Sequence, residues 1–91
     1  MKKTKQTNLE SLRKQIDKID SQLAKLLVKR FDLVEIIGQV KLENKISVVD
    51  RNREQEIVDR LLAETDLDKR FVAQLFSVIF KESRKQQRRK K

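Results

Sequence analysis

Cysteine, histidine, proline, tryptophan and tyrosine are missing from this chain, and glycine occurs once. Without cysteine there is no disulfide framework, no thiolate metal site and no thiol nucleophile. Without histidine the usual zinc or iron ligand is gone, and so is the usual general base near neutral pH. Carboxylates alone leave a magnesium site open by residue type. One glycine and no proline leave almost nothing to punctuate a β-rich fold. Four phenylalanines are the only aromatic residues, so platforms for stacking nucleic-acid bases are scarce. No apolar run approaches the length of a membrane span. Met1-Lys2-Lys3-Thr4-Lys5 is basic like the start of a secretion signal, yet charged and polar residues follow it. A cytoplasmic protein with no membrane partner is the expectation.

Charge is what the chain has in abundance: 41% of its 91 residues are charged, and the net charge is +9. Residues 9–83 hold 14 Lys or Arg against 14 Asp or Glu, a balance of zero. The excess therefore sits in the ends, at Lys2, Lys3 and Lys5, then Arg84, Lys85, Arg88, Arg89, Lys90 and Lys91. Affinity for nucleic acid would be a property of these tails, and the balanced body argues against such a partner. Residues 1–8 read as a basic, disordered N-terminus, residues 9–87 as one domain, and residues 88–91 as a basic tail that frays.

From Leu9 the apolar residues fall at 9, 12, 16, 19, 23, 26, 33, 37 and 40. This 3-4 spacing is the seam of a long helix that packs on another helix. Over residues 9–42 such a helix spans roughly 50 Å, more than a compact monomer of this size needs, which points to cover from a second chain. Glu43 to Ser47 lose the period and read as a loop. Ser47 with Asp50 forms a candidate capping pair for a second helix near Val48 to Glu64, striped by Ile57, Val58, Leu61 and Leu62. Asp68 is the candidate N-cap of a third helix from Lys69 to at least Gln87. Its stripe is Val72, Leu75, Phe76, Ile79 and Phe80, prolonged by Ser83 and Gln87. The expected fold is all-α, with one long helix and two shorter ones.

Several polar residues stand where packing calls for apolar ones. The seam predicts an apolar residue at position 30 and meets Arg30 instead. Lys41 lies eleven residues on, about 20° away around the helix and ~16 Å along it, so both cations can reach toward one anion. Arg30 could equally pair with a buried carboxylate or extend to the edge. Asp50, Arg53 and Glu54 are spaced i, i+3, i+4 and share a face, although surface pairing and the helix dipole explain them without a ligand. Ser83 and Gln87 either point into the interior with Phe76 and Phe80 or mark where the stripe reaches solvent. Taken together, these residues describe an interior with surplus cations that suits a small dicarboxylate. Arg13 lies 17 residues before Arg30, ~25 Å along a straight helix, so it could join that site only from an antiparallel partner chain.

In order and spacing this pattern resembles the AroQ-type, all-helical chorismate mutases, from about Leu9 to Gln87. Leu12-Arg13-Lys14-Gln15-Ile16-Asp17-Lys18-Ile19-Asp20 is similar to the family's opening "LR..ID.ID", and Leu26-Leu27-Val28-Lys29-Arg30 to its "LL..R". Gly38-Gln39-Val40-Lys41 resembles "G..K", and Val48 to Glu54 resembles "V.D..RE". Leu75-Phe76 with Glu82-Ser83 and Gln87 is similar to the closing helix. Two departures stand out: Ser47-Val48-Val49 where relatives often have a proline, and the basic tail.

The resemblance implies three-helix protomers intertwined as a homodimer with two sites. It implies substrate-binding positions at Arg13 (given in trans), Arg30, Lys41, Asp50, Arg53, Glu54, Ser83 and Gln87, of which Lys41, Gln87, Arg30 and Glu54 would be catalytic. The implied reaction turns chorismate into prephenate by a Claisen-type rearrangement and needs no cofactor, nucleophile or general base. Arg13 and Arg30 would clamp carboxylates, while Lys41 and Gln87 would donate to the ether oxygen. Glu54, helped by the Asp50 region, would accept from the ring hydroxyl, with Ser83 at the ring carboxylate and Arg53 on a carboxylate or on Glu54. An isochorismate-pyruvate lyase shares the fold, but such lyases lack the Asp-x-x-Arg-Glu set present at Asp50, Arg53 and Glu54. A non-enzymatic helical dimer that binds nucleic acid through its tails is the rival from another class.

Overall fold

The computed structural model describes residues 8–89. Among them are three helices and no strand: α1 (Leu9–Glu43), α2 (Arg51–Glu64) and α3 (Lys69–Gln87). The all-α architecture expected from apolar spacing is the one observed. Residues 1–7 and 90–91 lie outside the described residues, and with them most of the expected disordered N-terminus and the end of the basic tail. No helix among the described residues is long and apolar enough to cross a membrane.

The chain divides into two compact units, Met1–Arg30 and Phe31–Lys91. In the first, α1 opens on an Asn8 cap whose side-chain oxygen accepts from the Ser11 N–H at 2.8 Å. Its apolar seam is bare: Leu12, Ile16, Ile19, Leu23 and Leu26 are each 46–59% exposed. At about 25 cal/mol per Å² of apolar surface, leaving such a row in water forfeits much of what a helix of this length can gain.

The second unit has a small core of Val34, Ile57, Val72 and Phe80. Phe76 stacks on Phe80 at an angle, with ring centroids 5.6 Å apart. Along α2 the buried residue is Ile57, flanked by half-buried Val58, Leu61 and Leu62, so the stripe is the expected one. The end of α1 is closed by paired backbone bonds, Ile46 N–H to Lys41 O at 2.7 Å and Lys45 N–H to Leu42 O at 3.2 Å. This pattern needs a left-handed residue, and Lys45 supplies it at φ 56°, a position usually given to glycine.

The second helix begins later than expected. Its N-cap is Asp50, whose carboxylate accepts from the Arg53 N–H at 3.0 Å; Ser47 is exposed loop, and the bend falls at Val48. The physical reason is a tertiary contact, because Lys41 Nζ donates to the Val48 carbonyl at 3.1 Å and ties that segment down as loop. The cap of α3 is Asp68 as expected, accepting from the Phe71 N–H at 2.9 Å.

Candidate active site

Gly38 lies on α1 one turn before Lys41, so the two share a face. The end of α3 closes onto that face. A Cβ added at Gly38 would sit 2.2 Å from the backbone oxygen of Gln87 and 2.6 Å from its Cα, so only glycine admits this approach. Side-chain size at position 38 thereby sets where Gln87 stands.

Gln87 is half-buried, and its side-chain oxygen is buried with no hydrogen-bond partner among the described residues. An orphaned buried acceptor costs about 1–3 kcal/mol unless something else meets it. Turning the amide by 180° would present the nitrogen donors at the same place. Gln87 lines an open groove of ≈ 680 Å³ with Gly38, Leu42, Ile46, Val48 and Arg89. Arg89 also reaches Glu35 at 3.0 Å, which ties the end of the described chain to α1.

Ser83, one turn earlier on α3, is buried, and its hydroxyl donates to the Ile79 carbonyl at 2.7 Å. The stripe of α3 therefore runs inward through Ser83 instead of ending at solvent. Lys41 is half-buried, and its ammonium spends one of three donors on Val48 O.

Glu54 projects from α2 with its side chain only 17% exposed. One oxygen, Oε2, meets the Arg84 guanidinium at 2.5 Å, and the other, Oε1, meets Arg51 at 3.3 Å. Glu54, Arg51, Arg84 and Phe80 share a second groove of ≈ 440 Å³. Arg53 is placed elsewhere: it is exposed and pairs with Glu56 at 3.6 Å. Glu54 is thus held by Arg84 and Arg51, not by Arg53, because the first turn of α2 points the Arg53 guanidinium along its own helix. Asp50 is occupied in capping.

Of the eight positions singled out by sequence, Arg13 and Arg30 belong to the first unit, where Arg13 is exposed and Arg30 half-buried. The other six belong to the second unit, where Gln87 and Glu54 divide between the two grooves. Arg84, one of the excess charges toward the C-terminal end, is an inward-facing residue with a side chain 18% exposed. A signal was available: Arg84 follows Phe80 at i+4, on the buried stripe.

A family model described as chorismate mutase type II matches residues 12–88. The chain is 35% identical over 74 residues to a bifunctional chorismate mutase/prephenate dehydratase of Buchnera aphidicola, covering 78% of this chain and 19% of that protein. It is 31% identical over 83 residues to the bifunctional protein of Escherichia coli K12, covering 88% and 22%. It is 29% identical over 79 residues to the chorismate mutase of Methanocaldococcus jannaschii, covering 84% of this chain and 80% of that one. The chain thus spans about a fifth of the bifunctional relatives and four-fifths of the Methanocaldococcus protein.

Proposed function

The chain belongs to the chorismate mutase type II family, and from that premise we propose that it rearranges chorismate to prephenate, without a cofactor, as a cytoplasmic homodimer with residues 9–87 as the working domain. The observation that carries the reading is the closure of Gln87 onto Gly38, one turn from Lys41, with a buried side-chain oxygen left unmatched. The backbone of Gln87 packs on α1, while the polar end of its side chain has no partner among the described residues.

In the proposed reaction one C–O bond breaks as one C–C bond forms, within a single molecule. The protein has two tasks: to hold a flexible dianion in a compact chair, and to meet the negative charge that grows on the ether oxygen. Arg30 and, from a second chain, Arg13 clamp the carboxylates and supply orientation. Lys41 and Gln87 donate to the ether oxygen, and these bonds strengthen as the C–O bond stretches. Lys41 can do so while keeping its bond to Val48, since an ammonium carries three donors. Glu54 accepts from the ring hydroxyl through the oxygen shared with the exposed Arg51, and Ser83 assists at the ring carboxylate by turning its one O–H donor away from the Ile79 carbonyl. Asp50 contributes by fixing the first turn of α2. Arg53 takes part only if substrate or a partner chain draws it from Glu56. A millionfold acceleration needs about 8 kcal/mol, which two or three preorganised contacts of this kind can supply.

The bare seam of α1 supports the dimer. Leu12, Ile16, Ile19, Leu23 and Leu26 present a continuous apolar row with the spacing that a second helix buries. The test is to give the purified chain chorismate and isochorismate separately. Prephenate from the first is the expected result, whereas pyruvate from the second with chorismate untouched would make the chain a lyase.

A further inference from the structure

We infer that Arg84 is a positioning residue for Glu54, anchoring one carboxylate oxygen so that the other faces the substrate's ring hydroxyl. This rests on the reading of the site given above. The two residues are 30 positions apart on different helices, so their meeting is a product of the fold and not of helix periodicity. Both side chains are largely withdrawn from solvent, at 18% and 17% exposure. Phe80 and Ser83, the stripe residues just before Arg84 on α3, are buried, which holds that segment against its neighbours.

The two arginines on Glu54 differ in kind. Arg84 meets Oε2 at 2.5 Å from a sheltered position. Arg51 meets Oε1 at 3.3 Å with its side chain 71% exposed, and an exposed pair one turn apart on a helix contributes little. A ligand hydroxyl can therefore displace Arg51 from Oε1 while Arg84 keeps Oε2. With one oxygen pinned, the carboxylate plane is set before substrate arrives. That is the preorganisation a hydrogen bond strongest in the transition state requires.

A cation near the C-terminus of α3 also suits the helix dipole, which would make Arg84 a purely structural residue. The two roles separate by substrate. Steady-state kinetics of wild type, Arg84→Met, Arg84→Lys and Arg84→Met with Glu54→Gln are measured on chorismate and on an analogue bearing hydrogen in place of the ring hydroxyl. Thermal unfolding is followed in parallel. Positioning predicts that Arg84→Met lowers kcat/KM on chorismate roughly 10–100-fold, the cost of a misplaced group. Arg84→Lys should recover part of it. On the analogue, or when Glu54 is already Gln, the same change should cost less than about twofold. Equal losses on both substrates, or no loss on chorismate, overturn the inference. Should Arg84→Met fail to fold, Arg84→Lys carries the comparison, since it keeps the charge but not the fork: a loss confined to chorismate supports positioning, and an equal or absent loss overturns it. A wild-type chain inert toward chorismate fails the activity reading itself, and this inference with it; an active wild type with an indifferent Arg84 fails the inference alone.

Discussion

Replacing Gly38 by alanine tests how the end of α3 is placed. The new Cβ would lie 2.2 Å from the Gln87 backbone oxygen, 2.6 Å from its Cα and 2.7 Å from its carbonyl carbon. All three are backbone atoms, so no side chain can rotate away. Reaching ordinary contact at 3.4 Å requires 3.4 − 2.2 = 1.2 Å of separation between the two helices at that point. Forcing extra volume into packed structure costs about 1–3 kcal/mol. Against this, exchanging glycine for alanine inside a helix gains about 1 kcal/mol. The net is a loss of about 1 kcal/mol, a fall of ~4–8 °C in unfolding midpoint for a domain of this size. Activity should suffer more than stability, because a shift of ~1 Å at a reacting group can cost ~10²-fold. The assay pairs kcat on chorismate with thermal unfolding at one fixed protein concentration, since a dimer's midpoint depends on it. An alanine variant with full kcat and a raised midpoint would refute the reasoning, since helix propensity alone would then account for it.

Lys41→Ala should abolish most turnover, by ~10²-fold or more, while circular dichroism stays helical; near-normal kcat would contradict its role at the ether oxygen. Mixing Arg13→Ala with Arg30→Ala, each inactive alone, should restore activity, because one of the two sites in a mixed dimer is then intact; no recovery would argue against sharing across chains. Lys45→Gly should stabilise the chain by up to about 1 kcal/mol in chemical denaturation, since Lys45 already holds φ 56°. Truncation after Gln87 should leave turnover in place and lower the unfolding midpoint slightly through loss of the Arg89–Glu35 pair; loss of turnover would show that the tail closes the site.

Features that depend on helix period were legible in the sequence. The bounds of α1 and α3, the Asp68 cap and the inward stripe of α2 follow from apolar spacing and cap chemistry. Ser83 was legible in part, since the spacing from Phe80 put it on the buried face while leaving solvent as an alternative. The start of α2 was not, because Ser47 and Asp50 are both good caps, and the choice falls to the Lys41–Val48 contact across the loop. Nor was Gly38: its part in a short motif was visible, but the helix end it admits can be seen only in three dimensions. Arg84 was hidden by its neighbours, since within a run of basic residues composition cannot tell an inward cation from an outward one. Arg53 shows the converse. Sharing a face with Glu54 did not make them partners, because Glu56 and Arg51 lie as near along the same helix.

The most direct measurement follows purified wild-type chain and its Lys41→Ala variant with chorismate by proton NMR, so that substrate and product are both identified. Prephenate should appear mole for mole as chorismate disappears, at a rate the variant does not approach. Chorismate left intact by the wild type, or consumed equally fast by the variant, would contradict the proposed function.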